Sequence, residues 1–204
     1  GGGMFLTLSN PTITNVTISG NTAYYYGGGM YTQASNPILT NVIISGNMTT
    51  YYGGGIYLND SDPTITNVTI SGNTADSSGG GIQCWDNSNP ILLNTIIAGN
   101  ESNYYSGANE IEFYASDSSN TITILYSNIE GGQDSIVTND NGTVIWGDGN
   151  VDIDPIFVDT ANGDYHLSDL SPVISAATDS VQIGDNWFIA PATDVEGNAR
   201  PSPE

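Results

Sequence analysis

The feature that most restricts what this chain can fold into is a Gly-Gly-Gly triplet that begins at Gly1, Gly27, Gly53 and Gly79, a period of 26 residues. The segments that follow repeat with it: GGGMFLTLSNPTITNVTISGNTAYYY, GGGMYTQASNPILTNVIISGNMTTYY, GGGIYLNDSDPTITNVTISGNTADSS and GGGIQCWDNSNPILLNTIIAGNESNYY. The fourth copy carries one extra residue before its proline. A fifth, degenerate copy is expected from about Gly107 through NTITILYSNIEGG to Gly132. Each copy holds three short runs of Thr, Val and Ile bounded by Gly, Pro and Asn. Within a run the apolar positions fall two apart, as in Met4 and Leu6 or Val42 and Ile44, which is the period of a strand and not of a helix. Runs this short cannot bury an apolar face alone. Stacking the copies solves the problem, because each strand then pairs in parallel with its equivalent one coil away, about 4.8 Å on, over one continuous core. Parallel crossovers are overwhelmingly right-handed. The expected fold is therefore all-β: a right-handed parallel β-helix with three short strands per 26-residue coil.

Stacking places identical residues above one another. Asn15, Asn41, Asn67 and Asn94 should form one amide ladder, with Asn15 and Asn67 buried in it. Asn21, Asn47, Asn73 and Asn100 should form another, each following Gly20, Gly46, Gly72 or Gly99. The glycines supply the positive φ that a sharp corner needs. Cys84 follows the inward pattern and is expected as a core thiol. Residues 1–132 read as regular coils and 133–204 as irregular last coils followed, from 159, by a C-terminal cap. The chain starts on the first residue of a repeat. Two explanations compete: an excised array, or an open coil that docks head to tail on another subunit and propagates into a filament.

Charge divides the chain unevenly. Of 22 acidic residues only Asp60, Asp62, Asp76 and Asp86 precede residue 101, and against a net charge of −21 stand one Arg, one His and no Lys. Such a chain cannot neutralise a row of phosphates, so nucleic acid and anionic membrane surfaces are excluded as partners. No apolar run is long enough to insert into a membrane as a helix. Few cations with abundant Asn, Thr, Ser, Gly and Tyr lean toward an extracellular or cell-surface location.

The repeat GGGIY…NPTITNVTISGNTA resembles those of secreted right-handed β-helix proteins, in the pectate-lyase-like superfamily and the polymorphic outer-membrane-protein repeats. Residues GNVDIDPIFVDTANGDYHLSDLSPVISAA and TDVEGNARP are similar to the tail of bacterial extracellular β-helix proteins reading DPLFVDPANGDYHL…SPAIDAG, with Ser175 and Ala177 standing where that pattern has Asp and Gly. The resemblance implies an exported protein, attached or secreted. It also raises carbohydrate chemistry, and the residues argue against it. β-Elimination needs a base and a cation, yet Arg200 lies in the tail. Hydrolysis needs paired carboxylates, and the first four coils hold only Asp60 and Asp86 one coil apart. The chain is thus expected to be non-catalytic, a structural or adhesive module; a polysaccharide-binding or pectate-lyase-like protein is the alternative.

Two binding sites suggest themselves. Asp148, Asn150, Asp152 and Asp154 put oxygen side chains at alternate positions, which suits Ca²⁺; turn capping explains the same residues without a metal. Tyr25, Tyr31, Tyr51 and Tyr57 should form an outward aromatic ladder able to stack on a surface polysaccharide or a partner, unless the rings merely stack on one another. Sequons at Asn47, Asn59, Asn100 and Asn141 are potential glycan acceptors.

Overall fold

In a computed structural model, which describes residues 1–104, 110–114 and 118–200, the coils stack as expected. Gly107, the expected start of the fifth copy, lies outside the described residues. Three parallel sheets run along the stack. The first orders Met4–Thr7, Met30–Gln33, Ile56–Asn59, Ile82–Trp85 and Ile111–Phe113. The second begins with Thr12–Ser19 and Ile38–Ser45. It continues in split strands such as Thr64–Thr66 with Thr69–Ser71, and reaches Gly142–Trp146. The third is narrow: Thr22–Ala23, Met48–Thr49, Thr74–Ala75 and Glu101–Ser102. Register follows the repeat, with Met4 on Met30 on Ile56 on Ile82 on Ile111.

Alternation sends the predicted residues inward. Columns Ile13–Leu39–Ile65–Leu92–Ile124 and Ile18–Ile44–Ile70–Ile97–Ile129 join the first sheet's inner side in one buried cluster, with Cys84 inside it. A fully buried aliphatic side chain contributes about 1.5–3 kcal/mol, so one coil is marginal and the stack is not.

The glycine triplets do two jobs. The first residue of each turns at positive φ (Gly27 +59, Gly53 +69, Gly79 +65). The second allows close approach: a Cβ on Gly28 would stand 2.3 Å from the carbonyl oxygen of Gly54 and 2.6 Å from that of Met48.

The two asparagine columns differ. Asn21, Asn47, Asn73 and Asn100 form a one-way ladder in which each backbone N–H and side-chain amide donates to the next Oδ1 at 2.9–3.0 Å. The amides also donate sideways to the carbonyls of Ile18, Ile44 and Ile70. Asn15, Asn41, Asn67 and Asn94 are instead left-handed corner residues (φ 56, 52, 54 and 49) whose side chains point outward. This corrects the expectation of burial for Asn15, which is exposed and whose one ladder bond is acceptance from Asn41 Nδ2 at 3.1 Å; Asn67 is buried as expected. Asn tolerates positive φ better than most residues, and that property, not amide stacking, explains its recurrence there.

Two further ladders escaped the sequence reading. Ser35, Ser61 and Ser88 hydroxyls each accept from the backbone N–H one coil before, and Asn120 ends the column. Outside, Asn10, Asn36 and Asp62 accept from the N–H of Asn36, Asp62 and Asn89.

Candidate binding face

The outer side of the first sheet carries the column Phe5, Tyr31, Tyr57, Gln83 and Glu112. Tyr24, Tyr25 and Tyr26 precede one glycine triplet and Tyr51 and Tyr52 the next, so coil stacking sets them side by side. Tyr25 stacks on Tyr51 (centroids 5.6 Å, planes 18° apart) and Tyr26 on Tyr52 (6.1 Å, 14°). Phe5–Tyr31, Tyr31–Tyr57 and Tyr26–Tyr57 contacts of 4.8, 5.3 and 4.6 Å join the two groups. Trp85 lies flat on Tyr114 at 4.0 Å, and Tyr57 and Tyr52 link that pair to the rest.

The rings divide by access. Tyr57 is only 2% exposed, and burial among four phenols pushes its own phenol well above the usual tyrosine range. The expectation that Tyr57 offers a ring to a ligand is therefore corrected: its neighbours cover it. Phe5 (52%), Tyr24 (62%) and Tyr25 (58%) are open, with Tyr31 and Tyr51 half-covered beside them. At the far end Glu112 is buried. Its carboxylate accepts from Asn139 Nδ2 at 3.0 Å, and burial outweighs such donors to raise its pKa.

The acids of the early coils act as rungs. Asp62 accepts from the backbone and side-chain amides of Asn89 at 2.8 and 2.9 Å, Asp76 from Asn103 at 2.9 Å, and Asp60 from Asn87 at 3.3 Å. Nor does a calcium cage form from Asp148, Asn150, Asp152 and Asp154. Asn150 turns inward, donating to the carbonyls of Ile124 (2.7 Å) and Gly147 (3.1 Å) and accepting from Ser127 N–H. Asp152 accepts from Gly131 N–H and Asp154 from Ile156 N–H. Among the described residues no three Asp, Glu, His or Cys side chains gather as a metal site. Two sequons close as well, because Asn47 and Asn100 are buried ladder members.

A C-terminal cap was expected from 159, but the path of that tail was not foreseen. After Phe157–Asp159 pairs with Asp164–Leu167, the chain turns back along the outside of the second sheet, toward the first coils. There it meets the outward asparagines. Asn94 exchanges two bonds with Thr178 (2.8 and 3.0 Å), and Asn41 Nδ2 donates to the carbonyls of Thr193 (2.8 Å) and Asp194 (3.2 Å). Arg200 lies across the column. With the Asn67 carboxamide oriented as its surroundings require, its oxygen accepts from all three guanidinium nitrogens at 2.9–3.2 Å. Between tail and coils lies a cleft of about 670 Å³, with His166 and Arg200 in its wall. His166 is held between Asp164 (2.5 Å) and Glu196 (3.3 Å), which raise its pKa. Arg200→Ala is expected to free the last residues while sparing the coils. A glutamate-specific protease should then cut after Glu196 faster than in the unaltered chain, with the main unfolding transition moved by less than about 1 kcal/mol.

Parallel coils around one aliphatic core, laced by amide columns, define a β-solenoid. The chain belongs to the right-handed β-helix family: the family model for the right-handed β-helix region matches residues 9–153, which is most of the coiled part. Neither a curated protein nor a solved structure matches it.

Proposed function

We propose that this chain is a non-catalytic, extracellular adhesive module whose aromatic face on the first two coils lies against neutral polysaccharide. One observation carries the reading: open rings at Phe5, Tyr24 and Tyr25 sit beside half-covered Tyr31 and Tyr51, pre-stacked by the coil repeat. Exposed apolar surface of this extent marks interaction sites, and rings held by their neighbours lose little entropy on binding. A net charge of −21 repels polyanions and so favours an uncharged glycan. The tail's resemblance to exported β-helix proteins supports action outside the cell. The degradative alternative would need an accessible carboxyl on this face, and Glu112, the acid of the column, is buried.

Affinity electrophoresis in gels cast with soluble neutral polysaccharides (β-glucan, xylan or mannan) tests the proposal. Retardation in at least one gel is expected, and Tyr24→Ala/Tyr25→Ala should abolish it while the circular dichroism spectrum is kept. Equal mobility in every gel, or new reducing ends in the polysaccharide, would overturn it.

A further inference from the structure

The geometry points to Tyr24 and Tyr51 as an oxidative cross-linking site, where a one-electron oxidant of the peroxidase and hydrogen peroxide class joins two adjacent coils through a dityrosine bond. The two rings meet edge-on at 5.7 Å and 73°, and the Tyr24 phenol raises the pKa of the Tyr51 phenol beside it. The ring carbons ortho to oxygen are the ones that couple, and rings already in contact need only side-chain rotation to bring them together. Tyr24 is among the most open rings of the chain, so oxidant can reach it. Behind it, Tyr25, Tyr51, Tyr52, Tyr114 and Trp85 form an unbroken series of ring contacts between 4.0 and 6.1 Å. A radical formed on any of these can migrate to the exposed end.

The balance is simple. Each phenol gives up one electron and one proton, the two ring radicals form one C–C bond, and loss of the ortho hydrogens to the phenol oxygens restores both rings. One hydrogen peroxide takes up the two hydrogens and becomes two waters. Rival cross-linking chemistries lack their groups: the chain has no lysine, and its one cysteine, Cys84, is fully buried with a thiol pKa raised by burial. The bond would tie the first coil, whose strands pair on one edge only in this structure, to the second.

The sequence supplies its own assay, because two of its three methionines, Met30 and Met48, lie between the two tyrosines, and the third, Met4, precedes both. Dilute protein is treated with a haem peroxidase and hydrogen peroxide, any methionine sulfoxide is reduced, and the product is cut with cyanogen bromide. The expected result is a monomer with dityrosine fluorescence in which fragment 5–30 stays joined to fragment 49–204, two hydrogens lighter than their sum, while 31–48 is released. Tyr51→Phe and Tyr24→Phe should each lose the joined fragment, and Tyr25→Phe and Tyr104→Phe should keep it. Separate fragments from the unaltered chain, dityrosine found only between molecules, or a joined fragment that survives Tyr51→Phe would overturn the assignment.

Discussion

Replacing Glu110 with glutamine is expected to stabilise the coils at alkaline pH and to leave them nearly unchanged in acid. Glu110 ends the buried asparagine ladder. Its two oxygens accept from Asn100 N–H (3.1 Å) and Asn100 Nδ2 (2.6 Å), and it is 3% exposed. A one-way column of donors must finish on a group that accepts, and a carboxyl does so. Burial nevertheless outweighs the two amide donors, and Glu130 alongside adds to it, so the pKa rises from 4.5 to about 8. Below pH 4.5 the proton is present in both folded and unfolded chains. Between 4.5 and about 8 only the folded chain keeps it, so stability falls with each unit of rising pH. Above about 8 both chains have lost it, and the loss is complete. At about 1.4 kcal/mol per unit, the fall amounts to a few kcal/mol and at most about 5. Glutamine keeps an acceptor for Asn100, can donate to the Glu130 carboxylate and does not titrate. Unfolding curves from pH 4 to 9 should therefore converge in acid and separate in base, the variant being the more stable by a melting shift of about 2–4 °C per kcal/mol. The background of −21 charges affects both proteins alike, so parallel curves would remove the claim.

Asn73→Ala is expected to be severely destabilising, and Asn15→Ala almost silent, although the two residues occupy adjoining columns of one repeat. Loss of the Asn73 carboxamide breaks three buried bonds: those it accepts from the backbone N–H of Asn47 and from its side-chain amide, which keeps its bond to the Ile18 carbonyl, and the one it donates to the carbonyl of Ile44. Each unsatisfied buried group costs about 1–3 kcal/mol, which gives about 3–9 kcal/mol if the three losses add. Asn15 is exposed and accepts one amide, so its loss should stay within about 0.5 kcal/mol beyond a small cost from its positive φ. Urea titration of both variants checks the contrast, and similar losses would contradict the distinction between the columns.

That contrast marks the limit of what the sequence disclosed. Period, strand alternation and core columns were legible because a stacked coil must repeat whatever it needs once per turn. Asparagine at a fixed position was visible too, but one letter covers two physical uses, an amide that bonds along the axis and a corner at positive φ. Only the backbone conformation separates them. The serine column was present in the repeat as Ser35, Ser61 and Ser88, and was overlooked because serine between strands reads as ordinary turn composition. The aspartates at 148, 152 and 154 looked like a hard-ion cage because alternation along an extended chain mimics ligand spacing. In the fold Asp152 and Asp154 accept from the N–H groups of Gly131 and Ile156. Tyr57 was correctly placed on the outer face, yet the packing of Tyr26, Tyr31 and Trp85 around it follows no local pattern. The tail was least legible. Arg200 finds its partners 133 and 159 residues earlier in the chain, at Asn67 and Asn41, a contact that no repeat announces.

In this molecule columns of Asn, Ser and Asp side chains hold one turn to the next, and the open aromatic face is the surface proposed for contact with other molecules. An amide NMR map recorded while a soluble neutral polysaccharide is added tests this most directly. Shift changes confined to the neighbourhood of Phe5, Tyr24, Tyr25, Tyr31 and Tyr51 are expected, with the ladder amides of Asn47 and Asn73 unmoved. Changes centred on the cleft beside His166 and Arg200, or the release of shortened sugar chains during the titration, would contradict it.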